Sequence, residues 1–448
     1  MMTPKNIAVF VLLTGASALF CSNSALAALP IEHWTQPSGA QVYLAQSPGI
    51  PMLDVEIDFD AGGRRDPPGK AGLASVTADM TSAGVLARGP DPALDENALS
   101  EAWADLGAGF DGSAGNDRMS FSLRSLTYPD LLGPAVQLAA RQLGEPAFPQ
   151  AVWERNRQRL GASLKEALTR PGTVAGRAFS AAVYGNHPYG YEMTQETLAH
   201  IEVADMRTMY AGLIQPCRAK VSLVGAVTRA QADALVTTLL SRLPATTSCA
   251  PLPTIAEVPP LAKAQYIRIP FDAAQAQVLI GQPGFKRADP DYFALTVGNY
   301  ILGGGGFVSR LSSEVRQKRA LSYSVYSYFA PGLHAGAFVV GLQTRPDQAD
   351  EAVQVARSVL ARFVAEGPTE AELKAAKDNL IGGFALRIDS NRKLLGNIAN
   401  IAWNNLPLDY LDTWTHQVQK VTVADIKAAI ARTLQPDRMV TVVLGGAK

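Results

Sequence analysis

Histidine is the side chain most often found holding a metal or moving a proton near neutral pH. This sequence has five: His33, His187, His200, His334 and His416. The nearest two, His187 and His200, are 13 positions apart. Short zinc motifs place two ligands at i and i+4 on one helix, so no histidine pair here makes one. His187 opens the run His187-Pro188-Tyr189-Gly190 and reads as a residue that packs a loop. Gly303 to Gly306 are consecutive glycines. The run lacks the Gly-Lys-Ser/Thr ending of a phosphate loop and the spacing of a dinucleotide fingerprint. Close backbone approach or a hinge is the expectation there. Tyr323, Tyr326 and Tyr328 with Phe329 have the composition of a packed strand rather than a binding strip, and Tyr323 is the one to set apart from that group.

The 448 residues suit two or three domains. Apolar residues make up 47% and charged residues 18%, which describes a well-buried globular chain. Forty basic and 40 acidic residues cancel, so no net field steers the protein to nucleic acid or an anionic membrane. The N-terminus has the form of a secretory leader. Lys5 is its positive start, Ile7 to Phe20 its apolar core, and Ala25-Leu26-Ala27 its small-x-small cleavage site. Residues 1–27 are expected to be removed, leaving a periplasmic chain with no membrane segment. Phe20 is too bulky to precede a lipidated Cys21. After cleavage two cysteines remain, Cys217 and Cys249. In an oxidising compartment they form a disulfide tying the linker to the first domain, or stay as two buried thiols. With no histidine nearby they make a poor metal site.

The elements that must position any site are written twice. Val203-Ala204-Asp205-Met206 matches Val423-Ala424-Asp425-Ile426, Gln215-Pro216 matches Gln435-Pro436, and Gly225 matches Gly445. Each pair is 220 residues apart (203 to 423, 216 to 436, 225 to 445). Ala135 to Ala139 and Ala352 to Ala356 echo each other as well. This is duplication of one α+β unit rather than a short solenoid repeat. Leu53, Val55, Ile57 and Phe59 alternate with Asp54, Glu56 and Asp58, the period of a half-buried strand. Asp95 to Leu106 and Glu351 to Phe363 have helical spacing, and Thr369 with Glu372 forms a capping box opening a helix through Phe384. Five prolines between Pro244 and Pro260 mark a linker. The expected organisation is a 28–243 domain, a 244–263 linker and a 264–448 domain. Each domain is a mostly antiparallel or mixed sheet with helices packed on one face.

Four stretches together carry a family resemblance. They are Asp58-Phe59-Asp60-Ala61-Gly62-Gly63-Arg64-Arg65 with Gly72 to Met80, then Tyr184 to Gly190. Leu302 to Leu311 follows, and then Glu314-Val315-Arg316 with Leu321 to Val325. In order and spacing they resemble the pitrilysin-type peptidases, which include insulin-degrading enzyme and the mitochondrial processing peptidases. The likeness covers essentially the whole chain after the leader, and it implies that the two domains form half of a clamshell.

The same resemblance locates a site and its defect. The family's active-site helix carries His-x-x-Glu-His, two zinc ligands and a general base. The corresponding positions here are Ser75, Ala78 and Asp79, which cannot hold zinc. The third ligand, a glutamate on a later helix, would fall in Trp153 to Leu168 near Gly161-Ala162, with Glu154 and Glu166 the nearby acids. The family's second domain supplies an arginine and a tyrosine seven residues on, and Arg316 and Tyr323 keep that spacing. A guanidinium and a phenol can hydrogen-bond a carbonyl oxygen as it gains negative charge. The resemblance therefore implies a chain without cofactor, inactive alone. It would bind peptide or unfolded protein and complete the site of a zinc-bearing, His-x-x-Glu-His partner in a heterodimer. The rival readings are a non-enzymatic scaffold and a peptide-binding, chaperone-like protein of the same fold.

Overall fold

The computed structural model describes residues 30–245 and 248–446. The leader and its cleavage site lie outside the described residues. The strands are β1 (Ile31–Thr35), β2 (Gln41–Gln46), β3 (Met52–Phe59), β4 (Gly84–Val85), β5 (Leu94–Asp95), β6 (Gly109–Ala114), β7 (Met119–Leu126), β8 (Lys220–Gly225), β9 (Gln265–Ile269), β10 (Ala276–Pro283), β11 (Val325–Phe329), β12 (Ala337–Thr344) and β13 (Val440–Leu444). The helices of the first half are α1 (Leu73–Met80), α2 (Glu96–Asp105), α3 (Pro129–Gly144), α4 (Gln150–Ala167), α5 (Pro171–Tyr184), α6 (Gln195–Ala199), α7 (Val203–Leu213) and α8 (Arg229–Leu240). Those of the second half are α9 (Tyr292–Asn299), α10 (Ala349–Glu366), α11 (Glu370–Gly382), α12 (Asn391–Trp403), α13 (Tyr410–Lys420) and α14 (Val423–Thr433). No helix among the described residues is long and apolar enough to cross a membrane.

The first sheet has the order β1-β2-β8-β3-β7-β6 and the second β9-β13-β10-β12-β11. Apart from β1 the two orders correspond strand for strand. In each, one parallel pair (β2 with β8, β9 with β13) sits in an otherwise antiparallel sheet. The 220-residue echo follows from this. Helices α7 and α14 both open with a capping box whose acid is Asp205 or Asp425. Each leads through a proline turn into a central strand, β8 or β13. A glycine closes β8 and another directly follows β13, for a steric reason. A Cβ at Gly225 would collide with the Met52 carbonyl, and one at Gly445 would come within 2.8 Å of the Ala276 Cα.

On β3 the apolar set Leu53, Val55, Ile57 and Phe59 is fully buried under the helices of the first half. The opposite face is not open to water as a half-buried strand would be, since Asp54 and Asp58 are buried too. Arg124 pairs with Asp54 at 2.6 Å, while Arg118 and Ser120 reach Asp58 at 2.7 and 2.5 Å. That second face carries a helix from the other half. Leu394, Leu395, Ile398 and Ile401 of α12 pack on Tyr43, Ala45 and Val224 of the first sheet. In return Ala175, Phe179 and Val183 of α5 pack on Val339, Val440, Val442 and Leu444 of the second. Gly281 leaves the berth for Phe179, whose Cζ a Cβ there would meet at 2.8 Å. Each half therefore closes the other's sheet. The chain between them meets the first half where Arg218 and Arg65 donate to the Ala250 and Pro253 carbonyls at 2.8 and 2.9 Å, and it is tied there by the Cys217–Cys249 disulfide, with Cα atoms 5.8 Å apart.

Candidate functional site

Helix α1 starts at Gly72, whose φ of 99° suits glycine. The Asp66 carboxylate accepts the N–H groups of Gly72 and Ala74 at 2.7 and 2.9 Å. Burial nevertheless pushes Asp66 up to about 6. Along α1, Ser75 is half-buried, Ala78 is fully buried and Asp79 reaches solvent. Asn156 of α4 donates to the Met80 sulfur at 3.5 Å. Desolvation raises the pKa of Asp79, and the charge of Arg159, also on α4, opposes this. Asn156 and Arg159 are one helical turn apart, so this is the face of α4 that meets α1. The position opposite α1 is thus Asn156 rather than Gly161-Ala162. Gly161 looks instead toward α6, where its carbonyl accepts from Gln195 at 3.1 Å. Glu154 bonds Gln150, and Glu166 pairs with Arg170 in solvent. A hydroxyl, a methyl group and one carboxylate do not fit zinc, because only one of the three can ligate it and neither an imidazole nor a thiolate is among them. Among the described residues no three His, Cys, Asp or Glu side chains are grouped to hold a metal ion.

The second constellation lies after α9. The chain passes through a π-helical turn, Tyr300–Gly304, where Gly303 sits so close to the Ser327 backbone that a Cβ would overlap it. This fits close backbone approach rather than a phosphate cradle. At Gly306 the backbone turns left-handed with φ of 63°, and Phe307 and Val308 follow in a short 3-10 turn. A second π-helical turn, Ser312–Gln317, carries Arg316. Its guanidinium carbon lies 4.3 Å from the Phe307 ring centroid and 4.6 Å from that of Tyr323. Tyr323 is 80% exposed and Phe307 64%. The Ser322 hydroxyl anchors the loop before β11, lying 2.7 Å from the Ser324 carbonyl and 2.6 Å from that of Gln343. The nearby acid, Glu314, is taken by Lys318 and Arg319 at 2.7 Å each, and their hydrogen bonds hold it down to about 2. Among the described residues Arg316 has no ion pair or side-chain hydrogen bond, so its N–H groups remain open to an acceptor. Tyr326 and Tyr328 form a separate pair, stacked on each other with centroids 6.1 Å apart on the edge strand β11.

The His-Pro-Tyr-Gly loop has another task. His187 Nδ1 accepts the Tyr189 N–H at 3.1 Å, and Nε2 contacts the Ala256 carbonyl of the linker at 2.9 Å. Burial lowers the pKa of His187, in keeping with a neutral ring that donates from Nε2. The Tyr189 hydroxyl donates to Asp117 at 2.6 Å and accepts the His334 N–H at 3.1 Å. Asp117 also accepts from Leu333 N–H and pairs with Arg64. Glu257 accepts the Ala335 N–H and pairs with Lys286. Both halves and the linker are bolted together here. Sequence reasoning placed His187 as a packing residue but missed Asp117, His334 and Glu257, whose partners lie far away in the chain.

The sequence pattern described as "Peptidase M16 inactive domain" matches residues 200–380, a stretch that includes Arg316 and Tyr323. An "uncharacterized zinc protease" of Mycobacterium leprae is 30% identical over 282 residues, which are 61% of this chain and 62% of that protein. The "Non-peptidase homolog YmxG" of Helicobacter pylori is 26% identical over 392 residues, covering 84% of this chain and 85% of the other. The crystal structure of a peptidase M16 inactive domain from Pseudomonas fluorescens superposes with a TM-score of 0.87 at 32% identity. It covers 94% of this chain and 98% of its own. The chain belongs to the M16, or pitrilysin-type, peptidase family. The two sheets with their exchanged helices are thus one half of the M16 clamshell. On α1 Ser75, Ala78 and Asp79 form no ligand set, whereas Arg316 and Tyr323 stand together in the second half.

Proposed function

We propose that this M16 chain is the zinc-less, substrate-gripping subunit of a periplasmic two-chain metallopeptidase. The partner chain carries zinc and the general base. This chain supplies the facing chamber wall and brings Arg316 and Tyr323 to the partner's site. The observation that carries the reading is a site present by half. Arg316 keeps its N–H donors open beside the exposed Tyr323 hydroxyl, while α1 offers only Ser75, Ala78 and Asp79. As water attacks a peptide carbonyl, its oxygen gains negative charge. A guanidinium edge and a phenol O–H stabilise that charge without having to reorganise. Unfolded peptide adds as an extended strand, for which β6 and β11 are the edge strands on matching sides of the two sheets. The leader-like residues 1–27 direct the chain to the periplasm, where a Cys217–Cys249 disulfide is stable. The name of the Helicobacter pylori relative, a non-peptidase homologue, favours absence of self-contained catalysis. The test is capture of the tagged chain from periplasm. The expected co-purifying protein is a His-x-x-Glu-His chain of similar length, and the pair cleaves unstructured peptides. Recovery of this chain without such a protein contradicts the proposal.

A further inference from the structure

We propose that Phe307 is the positioning residue of Arg316: together with Tyr323 it clamps the guanidinium between two aromatic faces and holds it ready for substrate. The inference rests on the two-chain reading for its functional meaning but on geometry for its substance. Phe307 is 64% exposed, so its ring is anchored by its immediate neighbours rather than by a core. One of those neighbours is Arg316, with 4.3 Å from guanidinium carbon to ring centroid.

The chain fixes Phe307 from both sides. Gly306, at φ of 63° with open space where a Cβ would be, turns the backbone to present the ring. Ser309 Oγ donates to the Gly306 carbonyl at 2.7 Å, and Gln317 Nε2 donates to the Phe307 carbonyl at 3.1 Å. Gln317 is the neighbour of Arg316, so the loop bearing the ring and the turn bearing the cation are joined by this bond.

The chemistry explains why rings rather than a carboxylate do this work. An acid would hold Arg316 by occupying the N–H donors that a substrate oxygen needs. Aromatic faces attract the cation through their quadrupoles and leave every in-plane donor open. The arginine side chain loses much rotamer freedom when it is held, and the clamp imposes that loss before substrate arrives.

The experiment is a double-mutant cycle in the assembled two-chain enzyme, with an arginine-¹⁵Nε NMR spectrum of this chain alone beside it. Phe307→Ala should lower kcat about 2- to 30-fold, the range of a lost cation–π contact, with KM little changed and the melting temperature retained. Phe307→Tyr should restore the rate. In an Arg316→Ala background Phe307→Ala should cost nothing further. In the isolated chain the Arg316 Nε–H signal should move toward its unstructured position in Phe307→Ala and return in Phe307→Tyr. An unmoved signal, or an equal loss of rate in both backgrounds, overturns the proposal. If the mixed wild-type chains are inert, the two-chain reading fails, and the NMR comparison still decides whether Phe307 positions Arg316.

Discussion

Tyr323→Phe removes one oxygen from the proposed site and almost nothing else. The ring stays, so the stacking 4.6 Å from the Arg316 guanidinium is preserved. The side chain is 80% exposed, so the loss of its hydroxyl should change folding stability by no more than about 0.5 kcal/mol. The backbone on either side of it is held by Ser322 and not by the phenol. If the hydroxyl donates to the developing oxyanion in the partner's site, its loss removes one donor. Such a loss typically costs about 100- to 1000-fold in kcat, or roughly 3–4 kcal/mol of transition-state stabilisation. The assay is steady-state cleavage of a fluorogenic unstructured peptide by the purified heterodimer, with zinc content and assembly checked for each variant. Arg316→Ala should be as severe, and a raised KM would show that the guanidinium also grips the ground state. Arg319→Ala is the control, since its guanidinium is committed to Glu314. Equal kcat for wild type and Tyr323→Phe, with assembly intact, refutes the role of the hydroxyl and leaves this chain as a chamber wall.

Three further outcomes are expected. The purified chain alone should carry no stoichiometric zinc and cleave no peptide, and near one zinc per chain with chelator-sensitive proteolysis would contradict the degenerate reading of Ser75, Ala78 and Asp79. Thiol titration of periplasmic protein should find Cys217 and Cys249 unreactive. Replacing both with Ala should destabilise the chain by about 3–4 kcal/mol, the loop-closure value for their separation of 32 residues, read as a lower denaturant midpoint. Arg310 donates to both Glu372 oxygens at 2.7 Å and, with the Thr369 cap, holds the carboxyl down to about 2 against the opposing effect of burial. A carboxyl held below its unfolded value adds stability above about pH 4.5 and loses it as pH falls toward 2. Glu372→Gln should therefore lower the denaturant midpoint at pH 6 and have much less effect at pH 3; an equal effect at both would exclude the ion pair as the cause.

The duplication was legible because its marks are local. A capping box, a proline turn and a sterically required glycine recur at fixed spacing whatever surrounds them. The strand β3 was legible for the same reason, although periodicity could not say that its acidic face is also covered. That cover comes from α12, and the exchange of α5 and α12 between halves has no local signal. An apolar helix face reads the same whichever sheet it closes. The register of α4 against α1 is not legible in the sequence, because loop lengths between the two helices set it, and only packing shows Asn156 beside the end of α1. Arg316 and Tyr323 were legible only through the family resemblance, whose second domain implies an arginine and a tyrosine seven residues on; the spacing alone singles out neither. Phe307 was overlooked because an aromatic after a glycine run looks like a stray surface residue until its distance to the arginine is known. A large apolar side chain alone among Gly, Val and Ser was the signal available.

If this chain completes a site it cannot form by itself, a titration of the partner peptidase will show it. The partner peptidase is held at fixed concentration well above the dissociation constant, this chain is added in steps, and the initial rate of peptide cleavage is followed. The expected result is negligible cleavage by either chain alone and a linear rise that breaks to a plateau at one equivalent. A partner fully active alone and indifferent to the addition would contradict it.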